Sequence, residues 1–205
     1  MKIILVRHGE TTWNVLKKLQ GREDVPLNET GREQARAAGR ALSLYPFSGQ
    51  GPVIISSPLK RATETARLLA EQLPMTAGFH TDEALIERDY GLASGMTYAE
   101  RERLYPQSDF PGLEDREETE KRIVQGITRL ARVYAGQDLV LVSHGEVGHI
   151  FLAYLRGEGT RTAHSALKNA SISTLIYEEK TGFQIEYYNQ SAMELTEILK
   201  GQMKR

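Results

Sequence analysis

Three short apolar runs stop abruptly at residues that carry chemistry, and this constrains the fold more than any other feature. Ile3–Val6 ends in Arg7 and His8. Val53–Ile55 leads into Ser57 and, shortly after, Arg61. Leu139–Val142, the clearest run, ends in Ser143, His144 and Gly145. Runs this short and continuous, rich in Val, Ile and Leu, are the pattern of strands buried on both faces of a parallel sheet.

Helical patterns separate the runs. Asn28 is a capping residue for a helix reaching about Leu44, with Ala35, Ala38 and Leu42 at helical spacing. Ser57 followed by Pro58 reads as a cap with proline at the first helical position, opening a helix that buries Ala62, Ala66, Leu69 and Leu73. Residues 84–113 are irregular, and 114–134 reads as a helix with Ile123, Ile127 and Leu130 on one face. Near the end, 171–177 and 183–188 flank a turn and read as a hairpin. The expected fold is a three-layer α/β domain over residues 1–205. Its mostly parallel sheet has helices on both faces and an antiparallel edge.

In such sheets ligands sit beyond the carboxyl ends of the strands. Arg7, His8, Arg61 and His144 are therefore expected at one edge. Guanidinium forks donate paired hydrogen bonds to phosphate oxygens, so Arg7 and Arg61 are candidate clamps. A neutral imidazole is a nucleophile toward phosphorus. One of His8 and His144 would attack, and the other would stabilise charge on the transferring group. A leaving alcohol needs a proton, and Glu87, after a short apolar run, is the best-placed carboxyl in the sequence. The five histidines form no H-E-x-x-H pattern, and the glycine motifs for nucleotide phosphates are absent. His80 and His164 read as structural. The charge run at 112–122 reads as a solvated helix start.

Composition narrows the rest. The net charge of −1 gives no global field toward nucleic acid or an anionic membrane. The chain has no cysteine, which excludes thiolate chemistry and suits a reducing compartment. Its first apolar run is too short for a signal-peptide core or a membrane span, so the chain reads as soluble and cytoplasmic. No feature sets an oligomeric state.

Five stretches, in order, carry a family resemblance: LVRHGETTWN, QGREDVPLNETGREQA, ISSPLKRATETA, LIERDYG and LVLVSHG. Together they resemble the histidine phosphatase superfamily, the phosphoglycerate mutase-like proteins, over about the first three-quarters of the chain. The resemblance implies that His8 is the phosphohistidine nucleophile, with Arg7, Arg61 and His144 around the phosphoryl group. It implies that Asn14 hydrogen-bonds the phosphoryl group, that Gln20 and Gly21 line the pocket, that Glu87 is the proton donor and then the base, and that Tyr90 reaches the substrate. Gly145 offers its backbone N–H at a helix start, and Gly9 lets the backbone approach the phosphate. The implied chemistry needs no metal or other cofactor. The implied substrate is a small phosphorylated metabolite, with inorganic phosphate as product.

The family holds phosphatases and 2,3-bisphosphoglycerate-dependent mutases. The mutases carry two adjacent arginines that grip a carboxylate; here Arg101 and Arg103 are separated and acidic residues intervene. Glu146 follows Gly145 where the mutases carry asparagine, and its negative charge disfavours a doubly anionic ligand. An acid in a helix's first turn is also stabilised by the helix dipole. The sequence favours a phosphatase, with 95–113 as a cap that sets specificity through Tyr98, Tyr105 and Phe110. The mutase is the runner-up. A non-catalytic phospho-ligand module would be expected to lose the nucleophile or the acid, and both are present.

Overall fold

The computed structural model describes residues 1–158 and 167–204. His164 lies outside the described residues. A six-stranded sheet forms the middle layer, in the order β3-β2-β4-β1-β5-β6. Strands β1 (Lys2–Arg7), β2 (Val53–Ser56), β3 (Gly78–Thr81) and β4 (Leu139–Ser143) run parallel. Strand β5 (Ile172–Glu178) pairs antiparallel with β1, and β6 (Gly182–Gln190) antiparallel with β5. The expected mostly parallel α/β sheet with an antiparallel edge is what the chain forms.

Alternating side chains of each strand point to opposite faces of the sheet, and this splits the core in two. Ile3 and Leu5 of β1, with Leu139 and Leu141 of β4, pack under α5 (Arg116–Val133) and α6 (Gly145–Leu155). Ile4 and Val6, with Val140 and Val142, pack under α2 (Glu29–Leu42), α3 (Lys60–Ala70) and α7 (Ala192–Gln202). Burial on both faces is why these runs are continuously apolar. Asp138, buried just ahead of β4, accepts from the backbone N–H of Lys2 at 2.7 Å and of Ser48 at 2.8 Å, tying the entries of β1 and β2 to that of β4.

Asn28 caps α2 as expected, its side chain accepting from Gly31 N–H. The expected cap at Ser57 is not formed. Helix α3 begins at Lys60, with Leu59 at the N-cap and no side-chain cap bond, so Pro58 precedes the helix. The reason is tertiary: Ser57 Oγ lies 2.7 Å from His144 Nε2. The charge run is also more than a solvated helix start. Asp115 caps α5, but Glu114 grips Arg122 through two bonds, at 2.9 and 3.2 Å, with only 14% of its own side chain exposed. The irregular middle region contains the short helix α4 (Tyr98–Leu104). Among the described residues no helix is long and apolar enough to cross a membrane.

Candidate active site

A cleft of about 410 Å³ opens at the carboxyl edge of the parallel strands. Its lining includes every expected site residue except His144, whose ring packs against that of His8: Arg7, His8, Asn14, Gln20, Gly21, Arg61, Glu87, Tyr90 and Gly145. The two imidazole rings are 5.3 Å apart between centroids, tilted by 59°. Residues 136 positions apart meet because β1 and β4 are neighbours in register, with Arg7 opposite Ser143.

His8 is buried, and its Nδ1 lies 2.7 Å from the carbonyl of Gly9. A carbonyl only accepts, so Nδ1 carries the proton and Nε2 keeps its lone pair. Burial, then the positive charges of Arg61 and Arg7, hold the His8 pKa well below its ordinary value. His144 is fully buried and shifted the same way by burial, Arg61, His8 and Arg7. Its Nε2 is engaged by Ser57, while Nδ1 has no partner among the described residues. In the tautomer in which Nε2 accepts from the Ser57 hydroxyl, Nδ1 carries the proton and is a donor without a partner among the described residues.

Arg61 is fully buried, its Nη1 donating to the Glu23 carbonyl at 2.6 Å and its Nη2 to that of Gly21 at 2.7 Å. These bonds fix the guanidinium plane and leave Nε without a partner. Burial pushes its pKa down to about 10, against the opposing pull of Glu87 and Asp24, and the group stays charged at neutral pH. Arg7 is anchored by the Leu167 carbonyl. Its guanidinium lies against Gly145, where a Cβ would sit 3.2 Å from Arg7 Nε, tighter than an ordinary contact. Gly9 also has a packing reason to be glycine. A Cβ on it would strike the Gly31 carbonyl, so the glycine lets the loop after β1 seat against the start of α2.

Two amides line the same space. Asn14 Oδ1 is occupied by Thr11 N–H at 3.0 Å and Asn169 Nδ2 at 3.1 Å, and Gln20 Oε1 lies 3.0 Å from Thr11 Oγ1. The two N–H donors on Asn14 Oδ1 leave its –NH₂ for a ligand, while the oxygens of Asn14 and Gln20 share the single Thr11 hydroxyl proton. Gly21 adopts φ +50° and supplies the carbonyl that holds Arg61.

Glu87 also lines the cleft, 7% exposed. Its carboxyl accepts from Val147 N–H at 3.1 Å and Glu146 N–H at 3.4 Å, at the start of α6, and from Arg88 N–H at 3.0 Å. Burial raises its pKa despite these bonds and the charge of Arg61. The segment before it is clamped from α5: Arg122 Nη1 donates to the carbonyls of Ala84 and Ile86, both at 3.0 Å. Burial likewise raises the Tyr90 pKa well above its ordinary value, so the phenol stays protonated.

Lys18, Leu19, Tyr98, Arg101, Glu146 and His149 complete the lining. Glu146 does not act as a free negative charge: Arg116 pairs with it at 2.7 Å and Arg88 lies at 3.7 Å. Of the aromatic residues expected in 95–113, only Tyr98 lines the cleft. Phe110 is buried against Leu19 and Ala93, its ring 5.7 Å from that of Tyr105. Arg101 faces the cleft while Arg103 is exposed. Trp13 packs beneath Gly95, with Lys18 over its ring at 5.6 Å. His80 sits on β3 beside Tyr134, away from the cleft.

The arrangement suits a group with several anionic oxygens, held between two fixed guanidiniums with a neutral imidazole and a protonatable carboxyl in the same cleft. Comparison with known proteins agrees. The model for the histidine phosphatase superfamily (branch 1) matches residues 3–191. The uncharacterized phosphatase PhoE of Bacillus subtilis is 36% identical over 187 residues, covering 91% of this chain and 93% of its own. A 2,3-bisphosphoglycerate-dependent phosphoglycerate mutase of Methylorubrum populi is 32% identical over 199 residues, covering 90% and 92%. Among solved structures, a mycobacterial glucosyl-3-phosphoglycerate phosphatase in complex with VO3 superposes with a TM-score of 0.81 at 27% identity, covering 93% of this chain and 99% of its own.

Proposed function

Because this chain belongs to branch 1 of the histidine phosphatase superfamily, we propose that it is a metal-independent phosphomonoesterase acting on a small phosphorylated metabolite through a phosphohistidine on His8. The observation that carries this reading is the tautomer of His8: Nδ1 donates to Gly9, so the ring is neutral with its lone pair on Nε2. In the first step Nε2 forms a bond to phosphorus and the ester P–O bond breaks. Glu87, in its acid form, gives its proton to the leaving oxygen. In the second step Glu87 takes a proton from water, the water oxygen bonds to phosphorus, and the P–N bond breaks to release inorganic phosphate. Arg7 and Arg61, the Nδ1–H of His144 and the amides of Asn14 and Gln20 bind the transferring oxygens, with Gly145 N–H adding the positive end of α6. Gly21 orients Arg61, and Tyr90 donates toward the leaving group. Residues 95–113 act as the cap, reaching the cleft through Tyr98 and Arg101.

Arg101 gives a second reading its footing. A cation in the outer cleft can hold a carboxylate, which a phosphoglycerate mutase requires. A substrate panel separates the two. Phosphate release from simple phosphomonoesters, undiminished by a chelator, is the expected result. Isomerisation of 3-phosphoglycerate primed by 2,3-bisphosphoglycerate, at a rate well above that of phosphate release, would overturn it.

A further inference from the structure

Helix α6 carries a second polar group into the cleft. Four residues beyond Gly145, on the same helix face, stands His149. It lines the cleft and is 3% exposed. Neither of its ring nitrogens has a partner among the described residues. Burying an imidazole with both nitrogens unmatched costs stability that an apolar side chain of similar size would not. The phosphoryl-transfer steps make no use of it.

We infer that His149 is a specificity-determining residue that hydrogen-bonds a hydroxyl group of the leaving alcohol, so that the cleft selects hydroxylated phosphomonoesters. The inference rests on the hydrolase reading of the same site. A neutral imidazole offers one donor and one acceptor. A hydroxyl group offers the same pair. A carboxylate only accepts and an ammonium only donates, so each can pair with only one of the two nitrogens, whereas a hydroxyl can pair with whichever nitrogen faces it. The charges that face His149 are already engaged: Arg116 with Glu146 and Arg156 with Glu158, both at 2.7 Å. Burial, aided by Arg116 and Arg156 against Glu146 and Glu158, lowers the His149 pKa and keeps the ring neutral. Four helical residues rise about 6 Å. His149 therefore meets the cleft one helical turn from the Gly145 N–H that faces the phosphoryl group.

The test compares glycerol 3-phosphate with n-propyl phosphate, which lacks both hydroxyls. The wild-type chain should prefer glycerol 3-phosphate by about 10-fold or more in kcat/KM. His149→Leu should erase that preference. His149→Gln, which keeps a donor and an acceptor, should restore part of it. A role in packing alone would lower both substrates together and leave their ratio unchanged. The inference is overturned by a wild type without preference, or by a ratio that His149→Leu does not move. If the wild type releases phosphate from neither ester and forms no phosphoprotein, the hydrolase reading itself fails and takes this inference with it.

Discussion

At His8 a single backbone carbonyl selects which nitrogen keeps its lone pair, because Nδ1–H donates to Gly9 O. At Glu87 two effects oppose each other. Three backbone N–H groups favour the carboxylate, burial disfavours it, and burial wins. The consequence is an acid that holds its proton at a higher pH than an exposed carboxyl. Glu87→Gln keeps the shape and removes the transferable proton. With an alkyl phosphate, turnover should fall by about 10²- to 10⁴-fold. The loss should be smaller with p-nitrophenyl phosphate, whose leaving group needs no proton. In the wild type, the rate with an alkyl ester should decline as pH rises through the raised Glu87 pKa, and that limb should vanish in the variant. Full activity of Glu87→Gln on the alkyl ester would exclude Glu87 as the acid. His8, Arg61, Glu87 and His144 were legible in sequence because each follows an apolar run. Ser57 was not, because its partner lies 87 positions away and a Ser-Pro pair imitates a helix start. His149 was not singled out, although it stands four positions after Gly145 and so on the same helix face.

Elements were legible where burial shaped their composition. β1, β2 and β4 are buried on both faces and read as apolar runs. β3, Gly-Phe-His-Thr at the sheet edge, is largely exposed, so it carries no hydrophobic pattern to find. Helix α7 did leave a signal: Ser191 and Glu194 form a reciprocal capping box. The register of Glu87 has another source. It depends on α5, where Arg122 holds the carbonyls on either side of Leu85, and a sequence pattern cannot show which carbonyls an arginine will reach. The elements thus divide their labour: β1 and β4 deliver the imidazoles, α3 delivers Arg61, and α5 and α6 together fix the acid.

For the whole molecule, a neutral, buried pair of histidines links the site to stability. Both pKa values are lowered on folding, from an ordinary 6.5. Below that value the unfolded chain binds more protons than the folded one, so stability falls as pH falls. Each histidine contributes up to about 1.4 kcal/mol per pH unit until its folded pKa is reached. Glu87 has the opposite sign: its pKa is raised, so its contribution is present at low pH and lost as pH rises through the folded value. Denaturation midpoints measured between pH 7.5 and 5.5 should therefore drop for the wild type, and drop less for a His8→Asn, His144→Asn double variant. Equal drops would mean that the two rings are not the neutral pair described. The same arrangement that keeps His8 neutral thus makes the fold sensitive to acid.

The central claim is that His8 carries the phosphoryl group during turnover. Mixing the protein with a phosphate ester labelled on phosphorus, quenching in denaturant within the first turnovers, and mapping the label tests it most directly. The account predicts a phosphoprotein that is labile in acid and stable in alkali, with the label on His8 and none in His8→Ala. Continued phosphate release without any labelled protein, or label on another residue, would contradict it.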